Sequence, residues 1–500
     1  MKAFLCRCLP LLLLFALIFT ALAACATEPG GASGASEAGG ASSGAESAAE
    51  GFPLEEKNFG GKEITVLCVD RHTYGVMQFV PDSELKANAV NDAVAERNNL
   101  IEEKYGLTIK AVGENFPIET LRLAVTSGID DYDMICDTMM GMMPLIPENL
   151  YLALDDYIDI SHEWWDQNAN ELLTLNDKHY LLSGDAIITD DDYTYLLLYN
   201  KTMYADNAEL SGKYGDLYDL VREGKWTLDV MYEMMKAVAE PDETGAWSEN
   251  ATYGMAGSIN IGNVFMNAGG YLPAERTSDG GIAIALGKDA NLAAFDRVYN
   301  LFSDSTTTML VERYPQNGWD IVNTAFQEGH ALFYSTNASS ISIFKNAEDE
   351  VVSFGVLPNP KFSESQDRYY HTVNSGNSSV LAVASTNVEN VEATCYLLEL
   401  LGYYGKHTPF KSINDAYYET TLKLQAVESD DDAEMLDIVF GNRIYDIYTM
   451  MPWGSSPTLG QIYGQVLTAG SNTTVSLLES KRQEIETDIQ NTLNEFSKLN

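Results

Sequence analysis

The side chains with chemistry to offer in this chain are its 73 acids, 28 tyrosines, six tryptophans and six cysteines, set against only six histidines. Catalysis by serine needs a nucleophile elbow at a strand-to-helix turn, and zinc hydrolysis a His-Glu-x-x-His helix; neither is found, nor is a phosphate loop. Glycoside hydrolysis needs two carboxylates at a fixed separation with different pKa values, a property that scattered acids do not establish. No spacing of Cys, His or carboxylate has the regularity of a zinc or EF-hand site, so neither a metal nor a cofactor is expected. Recognition remains: Trp, Tyr, Asp, Asn and Arg are the side chains that stack on flat apolar faces and pair with hydroxyl groups.

The cysteines divide by position. Lys2 and Arg7 lead into an uncharged, Leu-rich run from Cys8 to Leu22, the layout of a signal peptide over residues 1–24. Its end, Leu22-Ala23-Ala24-Cys25, resembles the bacterial lipobox, which implies that Cys25 is lipidated and opens the mature chain. An uncleaved anchor is the alternative, but the apolar run is short for a span of about 20 residues. Cys6 and Cys8 leave with the signal, and Cys68, Cys136 and Cys395 sit in apolar runs that suit buried thiols rather than a disulfide framework. Residues 25–58 are expected to be a tether: Ala26 to Gly51 are almost wholly Gly, Ala, Ser and Glu, with no aromatic side chain before Phe52. As flexible coil it spans roughly 30 Å. Without residues 1–24 the chain carries 28 Lys and Arg against 73 acids, a charge of −45 that repels nucleic acid and anionic lipid.

These residues must be positioned by about 440 others, more than one core usually organises, so two lobes are expected. Glu63 to Val69 reads as a buried strand, and Val90, Val94, Ile101 and Tyr105 share one face of the next helix. Leu107 to Val112 is a second strand, Ile118 to Ser127 a helix closed by Gly128, and Tyr132 to Cys136 a third strand. This β-α-β-α-β opening implies a parallel sheet with helices on both faces, whose ligands lie at the carboxyl ends of the strands. Further strands are read at Tyr195 to Tyr199, Tyr253 to Gly257, Ala331 to Tyr334, Val352 to Leu357 and Val380 to Ala384. Helices are read at Leu228 to Ala239 after the N-cap Thr227, and at Asn291 to Phe302, Val391 to Leu401 and Val475 to Phe496.

Several local segments, taken in order, carry a resemblance. They are Tyr132-Asp133-Met134-Ile135 with Leu152-Ala153-Leu154-Asp155-Asp156-Tyr157-Ile158, Leu197-Leu198-Tyr199-Asn200-Lys201, and Lys225-Trp226-Thr227-Leu228-Asp229. Phe326-Gln327-Glu328-Gly329-His330-Ala331-Leu332 and Gly355-Val356-Leu357-Pro358 complete the series. Together they resemble the extracellular solute-binding proteins of carbohydrate ABC importers (family 1, maltose-binding-protein-like). The resemblance implies a two-lobed α/β fold of the periplasmic-binding-protein type II, each lobe a mainly parallel sheet flanked by helices, with a hinge between. It places lobe 1 at 59–193 plus about 371–450 and lobe 2 at 194–370 plus about 451–500. It further implies a monomer without enzymatic activity, held outside the cell membrane by the lipid on Cys25, that captures a small solute, by family a sugar, and delivers it to importer permease subunits.

By matched position, Asp70 and Arg71 follow the first strand, with Tyr74 just beyond, and Asp137 follows the third. Met139, Met140, Met142 and Met143 come next, where maltose-binding protein has polar residues, and are expected to pack beneath a loop. Asp185 to Tyr193 spans the first crossing between lobes; Asp185 and Tyr193 are the expected contacts, while Asp190-Asp191-Asp192 reads as a solvated turn. On the second lobe Ser335 and Asn337 follow a strand, Asn374 and Asn377 offer amides at the return crossing, and Trp453 is the expected stacking platform. Adjacent Trp164 and Trp165 point about 100° apart on a helix, so at least one belongs to the core. The competing readings are a secreted carbohydrate-active enzyme, a surface adhesin, and a binding protein for a peptide or polyamine.

Overall fold

The computed structural model describes residues 51–85, 87–174, 178–345 and 352–499. The expected signal peptide, Cys25 and the expected tether as far as residue 50 lie outside the described residues. The tether ends before residue 58: Phe52, the first aromatic side chain, packs edge-on against Tyr105, Tyr396 and Tyr403. Lys57 Nζ pairs with Glu392 at 2.7 Å close by.

Strand Lys62–Val69 is the middle of the first sheet. It pairs in parallel with Leu107–Glu114 on one side and Met134–Thr138 on the other, and Ser379–Val383 adds antiparallel to the last. Both faces are covered, so the strands read as continuous apolar runs. Alternation sorts them: Ile64, Val66, Cys68, Met134, Cys136, Leu381 and Val383 enter one core, whereas Leu67, Ile135, Val380 and Ala382 enter the other. Helix Ala89–Tyr105 covers the sheet between an N-cap, Asn88, whose Oδ1 accepts from the Asn91 N–H, and Gly106 in the left-handed region at φ 62°. The third strand starts two residues later than expected. Asp133 is occupied as an acceptor for Thr65 N–H and Asn390 Nδ2, and Ser379 prolongs the far end by pairing with Thr138.

The second sheet has the order Phe354–Leu357, Tyr195–Asn200, Ala331–Asn337, Tyr253–Gly257, Thr308–Leu310. Tyr195–Asn200 runs against both neighbours, and the other strands share one direction. The expectation of mainly parallel sheets therefore holds with one reversed strand in each.

Three stretches pass side by side between the sheets. Thr194 bridges Val373, and His371–Thr372 pairs in parallel with Arg443–Ile444. One boundary differs from the expected 371–450: helix Asp430–Phe440 packs on the second sheet, where Asp432 Oδ1 accepts from the Val356 N–H at 2.8 Å. Residues Ala416–Ala426 form a π-helix lying against both helix Ala89–Tyr105 and helix Ser339–Lys345.

Trp164 and Trp165 are both core residues, and both indole N–H groups donate to Glu399 Oε2, at 2.8 and 3.2 Å. Cys68, Cys136 and Cys395 are buried free thiols.

Candidate functional site: the cleft between the lobes

Strand Tyr253–Gly257 ends by feeding helix Ile261–Ala268, so that helix begins at the carboxyl edge of the second sheet. Asn260, Asn263 and Asn267 recur at intervals of three and four and therefore share one helical face. Gly262 allows a close approach behind this face: a Cβ there would stand 3.1 Å from the backbone of Tyr463, which would have to give by a few tenths of an ångström. The three amides line a cleft of about 420 Å³, within the range of about 300–1,000 Å³ of small-molecule sites. Met140 and Pro144 come to it from the first lobe, residues 372–375 from the return crossing, and Asp446, Thr449 and Met450 from the segment after the third crossing.

Its hydrogen bonds are incomplete in an informative way. Tyr195 Oη accepts from Asn260 Nδ2 (3.1 Å) and Asn374 Nδ2 (3.3 Å), which joins the second lobe to the crossing. Asn263 donates Nδ2 to the Gly460 carbonyl at 2.7 Å, and Asn267 donates Nδ2 to Asp446 Oδ2 at 3.1 Å. The other amide oxygens, Asn263 Oδ1 and Asn267 Oδ1, are buried without a partner, as is Thr372 Oγ1. Asp446 also caps helix Ile447–Met450, accepting from the Thr449 N–H at 3.2 Å. Burial pushes its carboxyl up to about 6 against the pull of these bonds. Among the described residues that line the cleft, Asp446 is the one charged side chain, and Met140, Met450, Met451 and Val264 supply apolar wall. Neutral donors and acceptors beside soft apolar faces suit a polyhydroxylated solute. A two-carboxylate hydrolase would need a second acid on this wall.

The sequence-expected residues fall into three groups. Asn374 lines the cleft with Ser375. Arg71 and Asp137 meet at the carboxyl edge of the first sheet, 3.7 Å apart, with the Arg71 guanidinium 5.8 Å from the ring of Phe116. Burial raises the Asp137 carboxyl, offset in part by the Thr138 N–H and Arg71. Asp70 is exposed at the same edge, and Tyr193 is half-buried there with its ring 5.0 Å from His72. Met139, Met142 and Met143 are packed as expected, while Met140 is 47% exposed and reaches the cleft.

The rest stand elsewhere. Tyr74 turns inward, edge-on to Tyr417. Trp453 is no platform: it is 1% exposed behind the Met451-Pro452 wall, and its indole N–H donates to Thr492 Oγ1 of the C-terminal helix. Ser335 Oγ and Asn337 Oδ1 are buried and unpartnered without lining the cleft, and Asn377 closes a turn through its N–H to the Asn374 carbonyl. Asp185 faces a separate pocket with Asp166, Asp190, Asp191, Lys406 and Arg443. The three consecutive acids are not a solvated turn. Arg443 pairs with Asp190 (3.1 Å), Asp191 and Asp166 (3.5 Å), and Asp192 accepts from Tyr417 Oη at 2.9 Å. Burial pushes Asp185, Asp190 and Asp192 up to about 7.

Sequence reasoning missed Asn260, Asn263, Asn267 and Asp446. The first three had a legible signal, an asparagine spacing of three and four after a recognised strand, whereas Asp446 had none.

No protein-family model matches the chain, and no curated protein matches it in sequence. Solved structures match in fold. The cyclic α-maltosyl-1,6-maltose binding protein of Arthrobacter globiformis is 14% identical, covering 86% of this chain and 100% of its own, with a TM-score of 0.56. A cyclo/maltodextrin-binding protein complexed with maltotetraose is 15% identical over 87% of this chain and 97% of its own, TM-score 0.54. The maltose/maltodextrin-binding domain of Bdellovibrio bacteriovorus bound to maltotriose is 16% identical over 87% and 100%, TM-score 0.51. The chain therefore has the two-lobed α/β fold of the periplasmic-type solute-binding proteins.

Proposed function

We propose that this chain is an extracytoplasmic lipoprotein that captures a small hydroxylated solute, a sugar or oligosaccharide, between its lobes and delivers it to an ABC importer. The observation that carries the reading is the cleft itself, an amide-rich cavity with a single acid, walled by both lobes and by the crossings between them. Proteins sharing its fold support it, since they bind maltotetraose, maltotriose and cyclic α-maltosyl-1,6-maltose. Contacts made from both lobes exist only when the lobes close, which couples binding to conformation and gives an importer a state to recognise. Asn260, Asn263, Asn267, Asn374 and Asp446 hold the hydroxyls in this reading, and Arg71, Asp137 and Tyr193 stand at the edge of the facing lobe. Cys25 carries the lipid, and the protein acts as a monomer without turning over its ligand. Among the described residues no helix is long and apolar enough to cross a membrane.

A thermal-shift panel of sugars, oligosaccharides, peptides and polyamines tests the proposal. A ligand at 100 times its Kd adds about 2.7 kcal/mol, so a cognate sugar raises Tm in a graded way. Scattering then shows a smaller radius of gyration with that sugar. Release of new reducing ends from an oligosaccharide would overturn the pure binding reading, and stabilisation by peptides alone would overturn the sugar.

A further inference from the structure

The cleft is asymmetric in charge and in hydrogen bonding, and both asymmetries point the same way. Among the described residues its wall contains no Lys, Arg or His, and the one carboxyl on it, Asp446, is 2% exposed. The donors to the carboxylate are neutral, among them Asn267 Nδ2 and the N–H groups of Thr449 and Tyr448. Tyr448 and Tyr463 are the titratable groups whose hydroxyls feel Asp446, and neither carries positive charge. Arg276, beside Tyr448, gives its guanidinium to the carbonyls of Glu171 and Leu172 and forms no ion pair with Asp446 among the described residues. Of the unpartnered buried atoms on the same wall, Asn263 Oδ1 and Asn267 Oδ1 can only accept, the Thr372 hydroxyl can accept as well as donate, and Asn267 is 1% exposed.

A site with a lone buried carboxylate and surplus acceptors is complementary to a ligand with positive charge and surplus donors. A hydroxyl brings one donor; a protonated amine brings three and no acceptor. Burial of a carboxylate without a counter-charge raises its pKa, as at Asp446, and an ammonium ion at hydrogen-bond distance reverses that effect. We propose that the solute of this cleft is an amino sugar, its protonated amine paired with Asp446 and its hydroxyls held by Asn263, Asn267 and Thr372. The assignment rests on the cleft being the solute site and names the chemical class that site takes.

The test is calorimetric titration of the mature chain with three probes that differ at one carbon, glucosamine, N-acetylglucosamine and glucose, and with their β-1,4-linked dimers. The amines should bind at least tenfold more tightly than both the acetylated and the neutral partners. Asp446→Asn, which keeps an N-cap residue on helix Ile447–Met450, should bring the ratio of amine to neutral affinity to within about twofold. Asn263→Asp, which adds a second acid to the wall, should widen the ratio and serves if the first variant does not fold. Equal affinities in the parent chain, or a preference that survives Asp446→Asn, overturn the amino sugar while leaving a neutral-sugar binding protein intact. Binding of spermidine with no response to any sugar overturns the amino sugar and the sugar reading together.

Discussion

Replacing Arg443 by Leu tests whether the passage between the lobes is held by charge. The guanidinium sits among Asp166, Asp190 and Asp191, and Tyr445 Oη donates to Asp166 (2.7 Å) and Asp190 (3.1 Å) in the same cluster. Removing one partner of a buried ion pair costs about 3–5 kcal/mol, because the remaining charge is left uncompensated. The Arg443 side chain keeps 21% exposure, which places the expectation at the lower end, about 3 kcal/mol. For a cooperative unit of about 450 residues at roughly 2.1 cal/mol/K per residue, that corresponds to a fall in Tm of about 3 °C. The loss must depend on pH. Asp190 is raised by burial from 3.8 to about 7, so the native state holds a proton that the unfolded chain has released between these values. Its stabilising effect is therefore complete below about pH 4 and is lost as pH rises to 7. At pH 8 the variant leaves ionised carboxylates facing one another; at pH 5 protonation of Asp190 replaces the missing cation. Differential scanning calorimetry should show the full loss at pH 8, at most half of it at pH 5, and recovery at pH 8 on adding Asp190→Asn. An equal loss at both pH values, without recovery in the double variant, would refute charge compensation and leave packing as the role of Arg443.

Other outcomes are expected at single positions. Asn263→Ala should weaken binding of the cognate solute about tenfold in a titration, since one good polar contact to a ligand is worth about 1–3 kcal/mol. Trp453→Phe should leave that affinity within twofold while lowering stability by about 1–2 kcal/mol in a denaturant melt, because the ring stands behind the wall and loses only its bond to Thr492 and some volume. Burial pushes the Cys68 and Cys395 thiols up to about 12 and raises Cys136 well above its ordinary value. All three should therefore resist a thiol reagent at pH 8 until denaturant is added, which absorbance of the released chromophore reports.

What could be read in the sequence depended on whether its cause was local. Strands buried on both faces announce themselves as apolar runs, which is why Lys62–Val69, Tyr195–Asn200 and Tyr253–Gly257 were legible to within a residue or so. Helix Ile261–Ala268 was not, because Gly262 and its asparagines are poor helix formers that packing overrides. Asn374 was legible as a cleft residue from its place before a strand at a crossing. Trp453 and Tyr74 have the composition of ligand platforms, but the C-terminal helix and Tyr417 take their faces, and neither partner is near in sequence. The same holds for Asp190 to Asp192, whose burial is decided by Arg443 and Tyr417.

The reversed strand of the first sheet sets the order in which the chain acquires structure. Ser379–Val383 completes a sheet whose other members end at Thr138, and helix Asp430–Phe440 reaches back to cover a strand of the second sheet that ends at Leu357. Each lobe is therefore stitched from distant parts of the chain, and a nascent polypeptide stopped at residue 370 lacks the edge of one sheet and a cover of the other. Contacts of such long sequence separation form slowly, because loop closure must precede any gain from them. Completion of either lobe therefore waits until the last quarter of the chain has been synthesised.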